Sequence, residues 1–585
     1  MRKSSFKRFI KIFSATVMTV MIAVTSCGCS GLSGKPIYDY GNGEAVRFED
    51  MKYERPDTSK FDESVARALE YSNNVFKGFK MIGEINAMSY ELEHMICMYS
   101  LAEIRASLDI TDEALQEEQT YCSLEYSKMY SKYMECFKKL LESKNSYLVN
   151  MMLDTVFKEQ IENYVSPDED YEDLLEKEES IIQTYTDDSN TAEYQAAIAK
   201  AVEEFYFSND RKALYNTLGK LYAERNTELG ELYVDLVKTR RSMYDGKTFE
   251  TCLDYYYDQY MRDVSADEAD NFCGYVKQYL APLYASLRER AREAANNDIF
   301  SVQGTYSGDN ALDSIGENIS AISEDMKNVF DYMRENNLVD VSKSDTKMNA
   351  SFTTYISGYN VPFLFSYYYD SVDDYLAIVH EFGHYYEEYI NCDATNNIDV
   401  KEIHSQGLEL LYMSLYDKVF PADSVEDLKD YKIIDMLYSI ISGCLYDEFQ
   451  RYAYSADDLT LDDLNKKFEE LSVAYGIVKA EDVTDYHRFN WVDVHHNYIA
   501  PFYYLSYAVS AYDALNIFII SESDSFEKAK EKYFEIVNLG SGYGIKALSE
   551  KAGLGSMFEE EEVKKFRDFF ADHFSEYIGE EKIAA

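Results

Sequence analysis

The sequence HEFGH, from His380 to His384, places two histidines four residues apart, with a glutamate directly after the first. Residues 371–390 (SVDDYLAIVHEFGHYYEEYI) predict a helix, because a serine and two aspartates can cap its start and apolar residues recur at helical spacing. On this helix the two imidazoles share one face, about 6 Å apart along the axis. The pattern is typical of a zinc site in which Glu381 serves as a general base.

Glu402 is the candidate third ligand, because a catalytic zinc site uses three protein ligands and leaves the fourth position to water. It begins a second predicted helical run, Glu402–Leu411, eighteen residues after His384. The intervening INCDATNNID is rich in Asn and Asp, as expected of a loop. Six of the 8 histidines, at positions 380, 384, 404, 487, 495 and 496, lie close together along the chain, which scattered core histidines would not do.

These residues resemble the zinc signature of the thimet oligopeptidase and oligoendopeptidase F family. The resembling segments are HEFGH, the pattern E-x-x-S-Q-x-L-E of residues 402–409, and residues 347–355, 361–365, 496–508 and 540–553. The resemblance covers about residues 240–570. The loop before Glu402 is a few residues shorter than the family usually has, which affects the expected local geometry more than the identity of the ligand.

The resemblance implies a mostly α-helical, two-lobed metallopeptidase with a deep channel and a small β-sheet beside the zinc helix. Only 7 prolines and 25 glycines agree with long helices joined by short turns. We predict an N-terminal helical lobe at 56–240 and a zinc-peptidase catalytic lobe at 241–585. Ser351–Ile356 and Pro362–Tyr368 are predicted strands around a turn. We expect an edge strand there to pair with an extended peptide; a purely structural hairpin is the alternative.

The resemblance also implies the roles of the site residues. His380, His384 and Glu402 would hold one Zn²⁺ per chain, and Glu381 would act as the general base. His496 and a tyrosine of the 503–507 segment would donate hydrogen bonds to the oxygen that becomes charged during peptide hydrolysis.

The choice among the three tyrosines stays open from the sequence. Tyr504 and Tyr507 are three residues apart and are predicted to share a helical face, whereas Tyr503 is predicted to lie off that face. Core packing is the alternative for any tyrosine pair in a chain with 55 tyrosines.

Four further residues near the signature have weaker predictions. His404 follows Glu402 by two residues, so it should point away from the metal and have a structural role. His495 is predicted to be a neighbour of the site, and the role of His487 stays open. Glu409 is either an acceptor for a ligand histidine or a solvated or salt-bridged carboxylate.

Two other functions remain open. Zinc peptidases of the thermolysin and aminopeptidase type carry their third glutamate at almost this distance, but those aminopeptidases have Asn-Glu-Gly-Phe-Ala around it, where this chain has KEIHS at 401–405. A surface lipoprotein that binds peptides without cutting them is the second alternative. It would have no use for a general base, and Glu381 is present.

Residues 1–26 predict a lipoprotein signal peptide. Basic residues precede an apolar run, Ile12–Val24, which is too short to span a bilayer. Val24-Thr25-Ser26-Cys27 resembles a bacterial lipoprotein cleavage box, so Cys27 is the predicted lipidation site; ordinary secretion is the alternative. Residues 27–55 read as a tether. The predicted location is therefore the extracytoplasmic face of the cell membrane, through a lipid anchor.

The strong acidity limits the partners. The formal charge is −49, which excludes a general affinity for nucleic acid or for anionic membranes. The sequence as a whole predicts a zinc endopeptidase that hydrolyses short unfolded oligopeptides at the outer cell surface.

Overall fold

The computed structural model describes residues 45–578, except for 154, 165–168, 190–193, 195, 199, 202–203, 205–207, 209, 248, 297–307, 345, 349, 369–370, 393–396 and 541. The predicted signal peptide, Cys27 and the first part of the predicted tether lie outside the described residues.

The chain forms two compact units, and each takes two stretches of sequence. The first contains residues up to 168 together with 303–396, and the second contains 169–302 together with 397–585. The chain returns to the first unit because the hairpin packs on an N-terminal helix, where Ser100 Oγ donates to the carbonyl oxygen of Tyr355 at 3.2 Å. This division differs from the single boundary predicted near residue 240.

The described helices of the first unit are α1 (Ser59–Ser72), α2 (Gly78–Leu108), α3 (Glu113–Leu141), α4 (Ser146–Met152), α5 (Thr155–Asn163), α11 (Gly308–Asn318), α12 (Glu324–Glu335) and α13 (Val372–Asn391). Asp112 caps α3 and Ser323 caps α12, each accepting from backbone N–H groups of the first turn. Apolar residues of α1, α2 and α3, including Met88, Leu92 and Phe137, form a buried core.

A three-stranded sheet lies beside α13 in the first unit. Its strands are β1 (Val339–Asp340), β2 (Ser351–Ile356) and β3 (Val361–Ser366), in the order β1-β3-β2. The predicted hairpin is confirmed: β2 and β3 are antiparallel, and Asn360 takes a left-handed conformation (φ 53°) in their turn. The two-residue β1, parallel to β3, was not predicted. Because β2 pairs only with β3 among the described strands, it lies at an edge.

The described helices of the second unit are α6 (Glu169–Ser189), α7 (Arg211–Tyr244), α8 (Cys252–Gln259), α9 (Ala266–Tyr275), α10 (Ala281–Asn296), α14 (Ile398–Tyr412), α15 (Tyr416–Val419), α16 (Val425–Ser455), α17 (Leu461–Ala474), α18 (Asp485–Phe489), α19 (His495–Ile499), α20 (Tyr504–Ser523), α21 (Phe526–Leu539), α22 (Ile545–Ala552) and α23 (Glu560–His573). A π-helical segment, Val276–Leu280, joins α9 to α10.

Helix α20 packs against both α14 and α16. Its contact with α16 requires a glycine, because a Cβ at Gly443 would lie 2.6 Å from the carbonyl oxygen of Tyr504. The predicted fold class, mostly α with a small sheet, is confirmed. Within the described part of the chain, no helix combines the length and the apolar character needed to cross a bilayer.

A buried carboxyl group in α2 gives the first unit a pH-dependent stability. Burial raises the pKa of Glu103 from 4.5 to about 7. Between these values the folded chain holds a proton that the unfolded chain releases, so the free energy of unfolding falls as the pH rises from about 4.5 to 7. At about 1.4 kcal/mol per pKa unit, the loss is about 3 kcal/mol.

We expect Glu103→Gln to remove this pH dependence, because its amide stays neutral. Urea unfolding at pH 5.5 and pH 8 should show that the variant gains stability relative to the wild type at the higher pH. Glu117→Gln, at an exposed position of α3, is the control and should leave the wild-type pH dependence intact. If the difference in free energy of unfolding between Glu103→Gln and the wild type were the same at pH 5.5 and pH 8, Glu103 would not ionise in this range.

Candidate active site

Helix α13 carries the HEFGH sequence and begins where the sequence predicts. Ser371 and Asp374 form a capping box, in which each side chain bonds the backbone N–H of the other. The predicted apolar positions, among them Val379 and Phe382, are buried. The His380 and His384 rings lie on one face of the helix, with centroids 5.1 Å apart and planes at 80°.

Glu381 is buried on α13 beside the edge strand. Thr353 Oγ1, on β2, lies 3.0 Å from Glu381 Oε2 and 3.0 Å from the Glu381 carbonyl oxygen, and can donate to either. The carboxylate is thereby held in a fixed orientation next to the strand that could pair with an extended peptide.

Helix α14 begins at Ile398, four residues before the predicted start, so Glu402 lies in its second turn. The predicted start was wrong because Asn397 provides the cap: its side-chain oxygen accepts from Asp399 N at 3.1 Å. Within the same helix, Ser405 Oγ lies 2.9 Å from Glu402 Oε2 and 3.0 Å from the Glu402 carbonyl oxygen, and can donate to either. A hydroxyl at this position can orient the Glu402 carboxylate.

His380, His384 and Glu402 form a group of side chains that could hold a metal ion. They come from 23 consecutive residues, and one ligand atom from each lies within 4.8 Å of the others. Two imidazole nitrogens and one carboxylate oxygen are the donors of catalytic zinc sites that keep an open position. The residues therefore fit Zn²⁺.

Removal of the Ser405 hydroxyl should weaken metal binding. In Ser405→Ala the Glu402 carboxylate loses the hydrogen bond that orients it, and loss of such a supporting bond lowers metal affinity by about 10-fold or more. Competition with a chromogenic zinc chelator would measure the change. Ser414 lies just after α14, and its exposed hydroxyl donates to the carbonyl oxygen of Leu411. Ser414→Ala is therefore the control and should leave zinc affinity unchanged.

His496 and three tyrosines form an aromatic cluster in the second unit. The His496 ring lies 5.3 Å from Tyr503, 5.3 Å from Tyr504 and 6.0 Å from Tyr507, measured between centroids. Tyr504 and Tyr507 are in contact at 5.6 Å, as predicted from their helical spacing. The structure thus brings together His496 and the three tyrosines that the sequence analysis considered as hydrogen-bond donors to the oxyanion.

The prediction that Tyr503 lies off this face was wrong. Tyr503 precedes α20 with a helical backbone conformation, so it and Tyr507 are four residues apart on one helical path, and their rings lie 5.2 Å apart. Burial, Tyr507 and the charge of Glu402 together raise the pKa of Tyr503, so its hydroxyl keeps its proton at neutral pH. Tyr503 is thus close enough to Glu402 to sense its charge.

The backbone before the cluster is held in an uncommon conformation. Phe502 is buried with φ 63°, a region that bulky residues rarely occupy. Gln450 Oε1 accepts from Phe502 N at 2.6 Å, and Arg262 Nη2 donates to the Phe502 carbonyl oxygen at 2.8 Å. These two side chains stabilise the turn that aims Tyr503.

A buried ion pair connects this turn to α14. Arg262 Nε lies 3.1 Å and 3.0 Å from the two carboxylate oxygens of Asp399, and neither side chain is appreciably exposed. Ser506 Oγ, on α20, also donates to Asp399 Oδ1 at 2.6 Å. The helix that carries Glu402 and the helix that carries the tyrosines are therefore fixed to each other by charged hydrogen bonds.

His496 lies on the short helix α19, which is anchored through Tyr498. The Tyr498 ring stacks on Tyr185 at 3.6 Å, and its hydroxyl donates to the Leu229 carbonyl oxygen at 3.0 Å. Burial, and then the neighbouring His495, lower the pKa of His496 to about 4. Its imidazole is therefore neutral at neutral pH and can donate one N–H.

The remaining candidates have structural contacts. The carbonyl oxygen of buried His404 accepts from a tyrosine hydroxyl of α21, and His487 caps α18. The His495 ring stacks on Tyr185 at 5.8 Å and does not join the ring contacts of His496 with the tyrosines. Glu409 forms a buried ion pair with Lys432 of α16, one of the two alternatives left open by the sequence.

Sequence reasoning missed Thr353, Arg262, Asp399 and Gln450 as supporting residues. Asp399 and Thr353 lie within segments that the sequence had singled out, so their proximity to the motif was a usable signal. No motif marks Arg262 or Gln450, because each contacts the site only through tertiary packing.

Comparisons with known proteins bear on the N-terminal domain and on the fold. Residues 48–165 match the model of the Peptidase M3 N-terminal domain. No curated protein sequence matches the chain.

Solved structures match over most of the chain. A putative oligoendopeptidase F has a TM-score of 0.72 and 21% identity, covering 91% of this chain and 100% of its own. PZ peptidase A, solved with an inhibitor, has a TM-score of 0.72 and 20% identity, with coverages of 92% and 100%. A putative oligoendopeptidase F from Bacillus anthracis has a TM-score of 0.71 and 20% identity, with coverages of 92% and 99%.

The protein is therefore a mostly helical chain with the fold of the oligoendopeptidase F structures. The N-terminal domain match and this fold together support a metallopeptidase of the M3 family, in agreement with the resemblance found in the sequence.

Proposed function

We propose that this chain is a zinc-dependent endopeptidase that hydrolyses short unfolded peptides at the outer cell surface. The observation that carries the proposal is the grouping of His380, His384 and Glu402, with Glu381 between the two histidines. A peptide-binding lipoprotein would need neither this donor set nor the base.

His380, His384 and Glu402 would hold the ion. Zn²⁺, when bound, supplies Lewis-acid polarisation of the scissile carbonyl and acidifies water. Glu381 removes a proton from the attacking water and delivers it to the leaving amine. Thr353 keeps the Glu381 carboxylate in place for both transfers.

His496, Tyr503 and Tyr507 are the proposed donors to the oxyanion. The His496 imidazole is neutral and the Tyr503 hydroxyl keeps its proton at neutral pH, so both can donate with little reorganisation as charge develops. Tyr504 contacts the same cluster and also packs on Tyr446, at 4.5 Å between centroids, which favours a packing role for its ring.

The edge strand supports peptides as substrates. An extended chain that paired with β2 would lie along the strand whose Thr353 contacts Glu381. Backbone pairing of this kind gives affinity without strict side-chain selection, and folded domains cannot offer an extended segment.

A mixed peptide library, digested with and without a chelator and analysed by mass spectrometry, tests the proposal. We expect chelator-sensitive cleavage at internal bonds, restored by zinc. Release of N-terminal residues alone would favour the aminopeptidase alternative. Binding without cleavage would favour the peptide-binding lipoprotein.

The proposed lipid anchor has its own test. Cys27→Ser should release the chain from the membrane fraction or stall its processing, because several acyl chains anchor far more firmly than one. Cys29→Ser is the matched control and should leave membrane fractionation unchanged. An unmodified N-terminus on a secreted wild-type chain would contradict the anchor.

A further inference from the structure

Two segments of the first unit expose large apolar side chains. Phe76 and Phe79, at the turn between α1 and α2, are 96% and 87% exposed, and Met151 on α4 is 77% exposed. Val75 and Tyr147 are also more than half exposed. These five side chains, called the apolar tip below, do not contribute to the core of the unit and are exposed at a cost in hydration.

The apolar tip is rigid and continuous. Asn145 Nδ2 lies within hydrogen-bond distance of the carbonyl oxygens of Tyr71 and Ser72, at the end of α1, and of Asn74, in the turn that follows, at 3.0 to 3.2 Å. A Cβ at Gly78 would lie 2.6 Å from Leu148 Cδ1, so the start of α2 and helix α4 touch. Tyr147 and Met151 are four residues apart on α4 and therefore share a face.

The charge around the apolar tip has the opposite sign from the rest of the chain. Residues 73–80 and 144–151 contain Lys77, Lys80 and Lys144 but no acidic residue, although the whole chain carries −49. Lys77 also pairs with Glu70 at 2.7 Å. Exposed phenylalanines beside lysines are typical of surfaces that enter the headgroup region of a bilayer.

We infer that the apolar tip docks the first unit on a bilayer containing anionic lipids. Phe76, Phe79 and Met151 would enter the boundary between headgroups and acyl chains, and the lysines would contact lipid phosphates. A symmetric contact between two copies of the tip would instead bring like-charged lysines together.

This orientation requires the tether to be largely extended, and this step rests on the proposed anchor at Cys27. The 18 Cα–Cα steps from Cys27 to Ala45 can span at most about 60 Å. The described chain begins near the C-terminal end of α2, where Arg105 Nη2 donates to the Met51 carbonyl oxygen. The apolar tip lies at the other end of α2, whose 31 residues extend about 46 Å.

Hydrogen–deuterium exchange on vesicles tests the inference without the lipid anchor. The chain from residue 27 to 585, with an N-terminal hexahistidine tag, is tethered to vesicles of phosphatidylethanolamine, phosphatidylglycerol and a nickel-chelating lipid. Peptides covering 73–80 and 144–153 should exchange about tenfold more slowly than in the same chain free in solution. Because the tag replaces the acyl chains, this outcome is independent of Cys27 acylation and of peptidase activity.

The double variant Phe76→Ser/Phe79→Ser should lose this protection, since both side chains are exposed and the fold does not need them. Leu124→Ser, at a half-exposed apolar position of α3, is the matched control and should keep it. Unchanged exchange on vesicles would overturn the inference. Protection already present in solution, and growing with protein concentration, would identify a second copy as the occupant and would also overturn it.

Discussion

Glu381→Gln is expected to abolish peptide hydrolysis while the zinc content stays near one ion per chain. The amide keeps the size of the side chain and can still meet the Thr353 hydroxyl, but it cannot accept a proton from water. General acid–base catalysis contributes about 10²- to 10⁴-fold, so the rate constant kcat should fall by at least about 10²-fold. Peptide turnover and metal analysis on the same preparation would measure both quantities.

Three comparisons make this result specific. His384→Ala and Glu402→Ala should lose the zinc itself, because each removes one of the three donors. Asp373→Asn changes an exposed carboxylate in the first turn of the same helix and should keep wild-type turnover. Loss of metal from Glu381→Gln, or undiminished turnover, would show that Glu381 is not the base.

The second large effect is expected from the tyrosine cluster. Tyr507→Phe keeps the ring contacts with His496 and Tyr503 but removes the hydroxyl. If that hydroxyl donates to the oxyanion only in the transition state, kcat should fall by about 10²- to 10³-fold while KM and zinc content change little. Steady-state kinetics on a quenched fluorescent peptide would separate kcat from KM.

The structure changes how Tyr503→Phe should be read. The Tyr503 ring lies 5.2 Å from Tyr507 and 5.3 Å from His496, so Tyr503 cannot serve as the neutral control that the sequence suggested. We expect Tyr503→Phe to lower kcat as well, by a smaller factor if it only orients Tyr507. A matched control is Tyr512→Phe, farther along α20, where the ring stacks on Phe566 at 4.3 Å. If Tyr507→Phe and Tyr503→Phe both keep the wild-type kcat, as Tyr512→Phe should, the oxyanion donors lie elsewhere.

His496→Ala should act in the same direction as Tyr507→Phe. Its imidazole is neutral, so its loss removes a hydrogen-bond donor without removing a charge. A fall in kcat with an accompanying rise in KM would indicate that it also binds the substrate backbone.

The zinc helix is the element that the sequence described best. Residues 371–390 were predicted and Val372–Asn391 is observed, because the capping box and the apolar spacing are local features. The hairpin was equally accessible, since its two strands are adjacent in sequence and joined by a turn with a left-handed residue. The start of α14 was predicted four residues too late, because Asn397 was not recognised as the cap of that helix.

Other features depended on contacts distant in sequence. The parallel pairing of β1 with β3 joins segments about 25 residues apart and involves only two residues of β1, too few to leave a pattern. The assignment of 303–396 to the same unit as the N-terminal helices, and the exposure of Phe76 and Phe79, are equally invisible without packing.

The sequence by itself indicated the two histidines, the candidate base and the helix that carries them, because these follow from spacing along one helix. The mostly helical fold followed from the family resemblance and the composition. Tertiary structure decided how the side chains are supported: Thr353 beside Glu381, and the buried Arg262–Asp399 pair that fixes the tyrosine turn. Such partners are selected by distance and burial in the folded chain. No local spacing rule relates residues that are 28 positions apart, as Thr353 and Glu381 are, or 137 positions apart, as Arg262 and Asp399 are.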